Sequence, residues 1–153
     1  MALIIDRFKE IDKEDWFNLW HQADGFSLQF NRLDIPESTW QRIMSGENKL
    51  LAFGLRNEDT EKLVGFVIYR FNASPKVAGD ECCISDIFIE PEFCGQGGGK
   101  KLLAAVDQAA REAKAERLCW IANPNRAESM NFYNSVEAEQ NLRAHFVRWL
   151  GRA

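Results

Sequence analysis

The run from Ile84 to Leu103, ISDIFIEPEFCGQGGGKKLL, decides how the rest of the chain is read. Ile84, Ile87, Phe88 and Ile89 make a β-branched and aromatic run that stops at Glu90-Pro91. A glycine-dense loop follows, after which Leu102, Leu103, Val106, Ala110 and Ala113 recur at helical spacing. This pattern predicts a strand, a turn and a helix. Four of the five residues from Gly95 to Gly99 are glycine, so the backbone there can take conformations and close approaches that a side chain forbids. Where such a loop enters a helix, unpaired N–H groups and the positive end of the helix dipole converge on one spot suited to phosphate or another anion. Lys100 and Lys101 agree with that reading, because cations in a first helical turn oppose the dipole unless an anion lies nearby.

Two familiar phosphate loops fail on spacing. A P-loop, G-x-x-x-x-G-K-[ST], would need Ser or Thr where Lys101 stands, and the dinucleotide fingerprint G-x-G-x-x-G starting at Gly95 would need glycine where Lys100 stands. The stretch instead resembles the GCN5-related N-acetyltransferases, whose signature is [Q/R]-x-x-G-x-[G/A] after a strand that often ends in a Pro-Glu-aromatic turn. Here Pro91-Glu92-Phe93 leads into Cys94-Gly95-Gln96-Gly97-Gly98-Gly99. The turn and both required glycines, Gly97 and Gly99, match, while Cys94 stands where the family has Arg or Gln.

The resemblance implies an α/β (α+β) fold, with a mixed, mostly antiparallel central sheet flanked by helices on both faces. It also implies acetyl-CoA as cosubstrate, its pyrophosphate wrapped by the backbone of Cys94, Gly95, Gln96, Gly97, Gly98, Gly99 and Lys100. The pantetheine would then lie along Ile87, Phe88 and Ile89 like an added strand, where that strand splays from the next one, residues 117–122.

Length and composition are compatible with this. The 153 residues are expected to form one domain, able to bury about two-thirds of its unfolded surface. A net charge of −4 with no extended run of Lys or Arg argues against nucleic acid as a partner. No stretch has the length of a membrane span, and the amino terminus MALIIDRFKEID lacks a signal peptide's basic start and long apolar centre. The expected compartment is therefore the cytoplasm. Cys82, Cys83, Cys94 and Cys119 show no C-x-x-C spacing and read as reduced thiols, mostly core filler. His21 and His145 are too isolated in sequence to suggest a metal site, and none is expected.

Taken in order, residues 2–8 read as a first strand, and Asp12 as the cap of a helix over 13–23 bearing Trp16, Phe17 and Trp20. A second helix runs from Pro36 through Met44, with Gly46 as its stop. Phe26, Leu28 and Phe30 lie between them; together with Asp24, Asp34 or Glu37 they could line a pocket for an amine, whereas each tryptophan singly reads as a core anchor. Residues 49–55 and 63–71 read as a hairpin around a polar turn at 56–62, and 81–89 as the strand feeding the glycine loop. The helix after it runs to about Ala115, a strand covers 117–122, a short helix 127–135, and a final strand about 144–150.

Acetyl transfer to an amine requires that the acyl carrier be held, the amine deprotonated and the departing thiolate protonated. Tyr133, at the end of the helical sequence ESMNFY, stands where the family often places its general acid, and Asn125, one residue further from Tyr133 than the family's usual asparagine, is the candidate pantetheine contact. Asp86, central on its strand, is the candidate that orients or neutralises a cationic amine. By plain alternation Asp86 and Glu90 share a strand face with Ile84 and Phe88, and Asp86 is the more central of the two acids. Diamine and polyamine acetylating relatives carry an adjacent acidic pair at this place, of which Ser85-Asp86 keeps one acid, and a helix like ESMNFY, so the resemblance favours a small-molecule diamine or polyamine acceptor attacked in a ternary complex. The alternatives are acetylation of a protein N-terminus or lysine, and a non-catalytic CoA-binding module. The family's habit also implies a homodimer.

Overall fold

The computed structural model describes residues 2–23, 34–47, 49–141, 143–148 and 150. Its contacts divide into two compact units, Met1–Ile121 and Ala122–Ala153. The first unit holds β1 (Leu3–Asp6), α1 (Lys13–Gln22), α2 (Asp34–Met44), β2 (Leu51–Asn57), β3 (Leu63–Ala73), β4 (Asp80–Ile89), α3 (Gly98–Glu112) and β5 (Arg117–Trp120). The strands make one sheet in the order β1-β2-β3-β4-β5, in which the first four are antiparallel and β5 runs parallel to β4. This is the mixed, mostly antiparallel sheet that the resemblance implied.

Each face of the sheet has its own core. Leu102, Val106 and Ala110, at the four-residue spacing that aligns side chains along one helix face, carry α3 onto Leu55, Val67, Tyr69, Cys82 and Ile84. On the opposite face Trp16, Leu19 and Trp20 of α1 and Trp40 of α2 pack with Phe8, Phe66 and Ile68. Trp16 is 0% exposed, with its ring centroid 5.5–6.3 Å from those of Phe8, Phe17, Trp20, Trp40 and Phe66. These tryptophans are core anchors and do not line an amine pocket.

Three expectations are corrected. Arg56 does not open a polar turn: it lies in β2 and is 4% exposed. Its guanidinium donates to the Asp6 carboxylate at 3.1 Å and to both oxygens of Asp12 at 2.8 and 2.9 Å. A buried guanidinium needs a counter-charge, and Asp12, which also accepts from the Lys9 amide at 2.8 Å, supplies one and makes no side-chain cap to α1. Nor do residues 144–150 form a strand among those described. Phe146, Val147 and Leu150 are 90%, 60% and 81% exposed, and an apolar segment holds an extended form only where a neighbouring strand accepts its backbone.

Candidate active site

The β4–β5 ladder runs from Glu81 opposite Arg117 to Ile84 opposite Trp120 and ends there, while β4 continues to Ile89. Among the described residues no strand pairs past Ile84 with the edge of β4 that faces away from β3, which leaves it suited to an extended ligand able to hydrogen-bond as an added strand. Ile87, Phe88 and Ile89 lie on that stretch, opposite Val67, Phe66 and Gly65 of β3.

The register against β3 jumps from Asp86 opposite Ile68 to Ile84 opposite Tyr69, which leaves Ser85 as the extra residue of a β-bulge. The bulge breaks the plain alternation expected above. Ile84 packs in the core under α3, whereas Asp86 and Phe88 pair with Ile68 and Phe66, on the face covered by α1. Arg70 Nη1 donates to Ser85 Oγ at 2.7 Å. Burial pushes the Asp86 carboxyl up to about 7, and the Arg70 cation only partly opposes it. A carboxyl titrating there can take a proton at neutral pH.

At the end of β4 the Glu90 amide donates to Val64 O at 2.8 Å, and a single 3₁₀ turn, Pro91–Phe93, leads to exposed Cys94. The Cys94 sulfur lies 3.7 Å from Ile89 O and 3.8 Å from Glu90 O. Gly95 (φ 78°) and Gly97 (φ 84°) are left-handed, a conformation that costs other residues energy. Gly97 is the N-cap of α3 and offers no side-chain cap, so the anion-facing groups at the helix start are backbone amides. The first helical bond runs from Lys101 N to Gly97 O, which leaves the amides of Gly98, Gly99 and Lys100 ahead of it. Gln96 folds back, donating from Nε2 to Glu92 O at 3.3 Å. Lys100 is exposed, but Lys101 Nζ donates to Leu3 O at 2.7 Å and ties α3 to β1. Of the two lysines read as anion partners, Lys101 therefore serves the fold.

Sequence reasoning missed why Gly98 is glycine. A Cβ there would meet Leu55 Cδ2 at 2.5 Å and Ile89 Cδ1 at 3.4 Å, so its absence lets the first turn of α3 sit on the sheet. The signal, a third glycine between the two that the motif requires, was present but had no partner in sequence.

Asn125 and Tyr133 belong to the second unit. Asn125 is exposed, and its amide donates to Asn123 Oδ1 at 2.9 Å in the turn before α4 (Ala127–Asn134). Tyr133 is half-buried near the end of α4 beside Phe132, and burial pushes its hydroxyl above the usual tyrosine range. Such a hydroxyl keeps its proton at neutral pH and can donate it. Of the supposed acceptor wall, Glu37 accepts from Lys13 at 2.8 Å and from Gln41 at 3.1 Å; Asp24, Phe26, Leu28 and Phe30 lie outside the described residues. A ring nitrogen of His21 lies 2.7 Å from Phe17 O. Among the described residues no helix is long and apolar enough to cross a membrane.

A family model described as Acetyltransferase (GNAT) family matches residues 5–136. The aminoglycoside N-acetyltransferase AAC(6')-Iy, in complex with the bisubstrate analog CoA-S-monomethyl-acetylneamine, superposes with a TM-score of 0.81 at 18% identity, over 97% of this chain and 99% of that one. An aminoglycoside acetyltransferase from an uncultured soil metagenomic sample gives 0.77 at 22%, over 97% of each chain. A ribosomal-protein-alanine N-acetyltransferase from Brucella melitensis biovar Abortus 2308 gives 0.74 at 18%, over 97% of this chain and 100% of that one. Likeness at these identities is likeness of fold, and the acceptors named belong to those proteins.

Proposed function

The chain belongs to the acetyltransferase (GNAT) family, and on that basis we propose that it acetylates a primary amine of a small molecule carrying more than one amine, a diamine or polyamine, by direct attack in a ternary complex. It is an N-acetyltransferase, and acetyl-CoA is its cosubstrate. The observation that carries the reading is the position of Asp86: a carboxyl titrating near 7, one residue past the Ser85 bulge, on the stretch where β4 has left β5.

In this mechanism Asp86 accepts a proton from the acceptor ammonium, directly or through a water. The free amine nitrogen attacks the thioester carbonyl carbon, the C–S bond breaks, and Tyr133 protonates the departing thiolate, giving the acetamide and CoA. The open edge at Ile87, Phe88 and Ile89 takes the pantetheine as an added strand, with Asn125 as a further contact. The left-handed turn at Gly95 and Gly97 and the first amides of α3 take the pyrophosphate. That work falls to backbone N–H groups, so cysteine in place of Arg or Gln at Cys94 costs one side-chain contact. The aminoglycosides named for the matching structures are also polyamines, and they share with diamines the cation that Asp86 would meet.

A second reading rests on Arg70. Its guanidinium is exposed and hydrogen-bonded to neutral Ser85, on the strand that pairs with Asp86's, and a cation there would favour an acceptor that carries a carboxylate, such as a free amino acid or a short peptide acetylated at its N-terminus. One experiment separates these readings: release of CoA thiol, followed with spermidine, putrescine, an aminoglycoside, a free amino acid and an alanyl peptide. Turnover with the polyamines and none with the acid-bearing amines supports the proposal, and the reverse pattern sinks it.

A further inference from the structure

Cys83 and Cys119 are direct partners in the parallel β4–β5 ladder. Ladder partners point to the same side of a sheet, and their sulfurs lie 3.1 Å apart. Adjacent strands run about 4.8 Å apart, inside the Cα separation of about 4.4–6.8 Å that a disulfide spans. Closing the sulfurs to a bond of about 2.05 Å therefore needs an approach of only about 1 Å. Their neighbour Cys82 points into the opposite core, beneath α3, and is fully buried.

Glu81 completes a trio whose ligand atoms lie within 4.8 Å of one another, which raises a metal as the other use of the thiols. Two observations favour the disulfide. Thiolates on a tetrahedral zinc at about 2.3 Å stand roughly 3.8 Å apart, well beyond the spacing seen. The Glu81 carboxylate is also already held by Arg117 Nε at 2.5 Å and Asn72 Nδ2 at 3.1 Å, and the Arg117 cation would oppose a metal ion beside it.

We propose that Cys83 and Cys119 form an oxidation site, which a hydroperoxide closes into a disulfide tying β4 to β5 one rung before the strands part. Cys119, the half-buried member, attacks the peroxide oxygen as thiolate. The O–O bond breaks, and Cys119 becomes a sulfenic acid as the released hydroxide takes a proton. The Cys83 sulfur then attacks the Cys119 sulfur, and the Cys83 proton leaves with the expelled hydroxide as water. The sum is two thiols and hydrogen peroxide to one disulfide and two waters. Burial and the neighbouring Cys119 push the Cys83 thiol up to about 12, so Cys83 holds its proton until the sulfenic acid draws it in.

The test is peroxide treatment of the native protein, alkylation of the remaining thiols and peptide mapping. The expected product is a Cys83–Cys119 linked peptide, with Cys82 and Cys94 outside the link and the bond reversed by dithiothreitol. Cys119→Ser, at the more exposed position, is expected to lose the linked peptide while keeping the wild-type thermal midpoint. Full alkylation of both cysteines after peroxide, a bond to Cys82 or Cys94 in their place, or stoichiometric zinc binding that shields both thiols would overturn the proposal.

Discussion

At the scale of single residues the proposed chemistry turns on Asp86 and Tyr133, which burial shifts in the directions those roles need. Asp86 must lose its proton to act as base, so kcat/KM is expected to rise with pH along an acidic limb near 7, the value to which burial pushes its carboxyl. Asp86→Asn keeps the shape and removes the base. It should lower kcat/KM by about 10²- to 10⁴-fold, the usual worth of a positioned acid or base, and abolish the limb near 7. A pH–rate profile unchanged in Asp86→Asn would assign the proton to another group. Tyr133 has the opposite task, and its raised hydroxyl stays protonated through neutral pH. Tyr133→Phe is expected to reduce kcat by about 10²-fold while calorimetry finds acetyl-CoA affinity unchanged. Equal losses in affinity and rate would make Tyr133 a packing residue.

At the scale of elements, what could be read in the sequence and what could not divide along a physical line. The strand, turn and helix at Ile84–Leu103 were legible because each depends on its own residues: a β-branched run, a block of glycine, and apolar positions four apart. The Ser85 bulge was not legible, since a bulge is a mismatch between two strands and the alternation within β4 carries no trace of β3. Arg56 was misread as turn for the same reason; its burial depends on Asp6 and Asp12, 50 and 44 positions away. Residues 144–150 misled in the other direction, because adjacent Phe146 and Val147 suit a strand only where a neighbour pairs with it. The glycine turn offers a graded test of local geometry. Gly97→Ala places a side chain at φ 84° and is expected to cost about 1–2 kcal/mol. Gly98→Ala drives a Cβ against Leu55 and is expected to cost about 1–3 kcal/mol by overpacking. Gly79→Ala, where a Cβ meets open space, should be close to neutral. Urea denaturation of the three variants checks the order, and a Gly98→Ala protein as stable as wild type would contradict the close seat of α3 on the sheet.

At the scale of the whole molecule, oppositely shifted carboxyls set where in pH the fold is most stable. Burial works to raise the Asp12 carboxyl, but hydrogen bonds from Arg56 and the Lys9 amide, with the charge of Arg56, hold it below the usual carboxylate range. Hydrogen bonds from Arg117 and Asn72 likewise hold Glu81 low. A carboxyl lowered in the fold adds stability that is present above its unfolded value and is lost as pH falls through its folded value. Asp86 has the reverse sign. Its folded form keeps the proton up to about 7, so its contribution is most favourable below the ordinary aspartate value near 4, declines as pH rises toward 7, and is constant beyond. Acidification from 7 should therefore first stabilise the protein, and then destabilise it below about 4 as Asp12 and Glu81 take up protons. Asp86→Asn is expected to melt above wild type at pH 8, with the difference shrinking to nothing near pH 4. Asp12→Ala leaves the Arg56 guanidinium short of a buried partner and should cost about 3–5 kcal/mol at pH 7, with the loss narrowing as pH falls below about 4 toward the lowered value at which wild type gives up the pair. Thermal melts of the three proteins from pH 3.5 to 8.5 decide it: an Asp86→Asn curve parallel to wild type across that range would mean that the fold does not hold the Asp86 proton, and with it would go the case for Asp86 as the base.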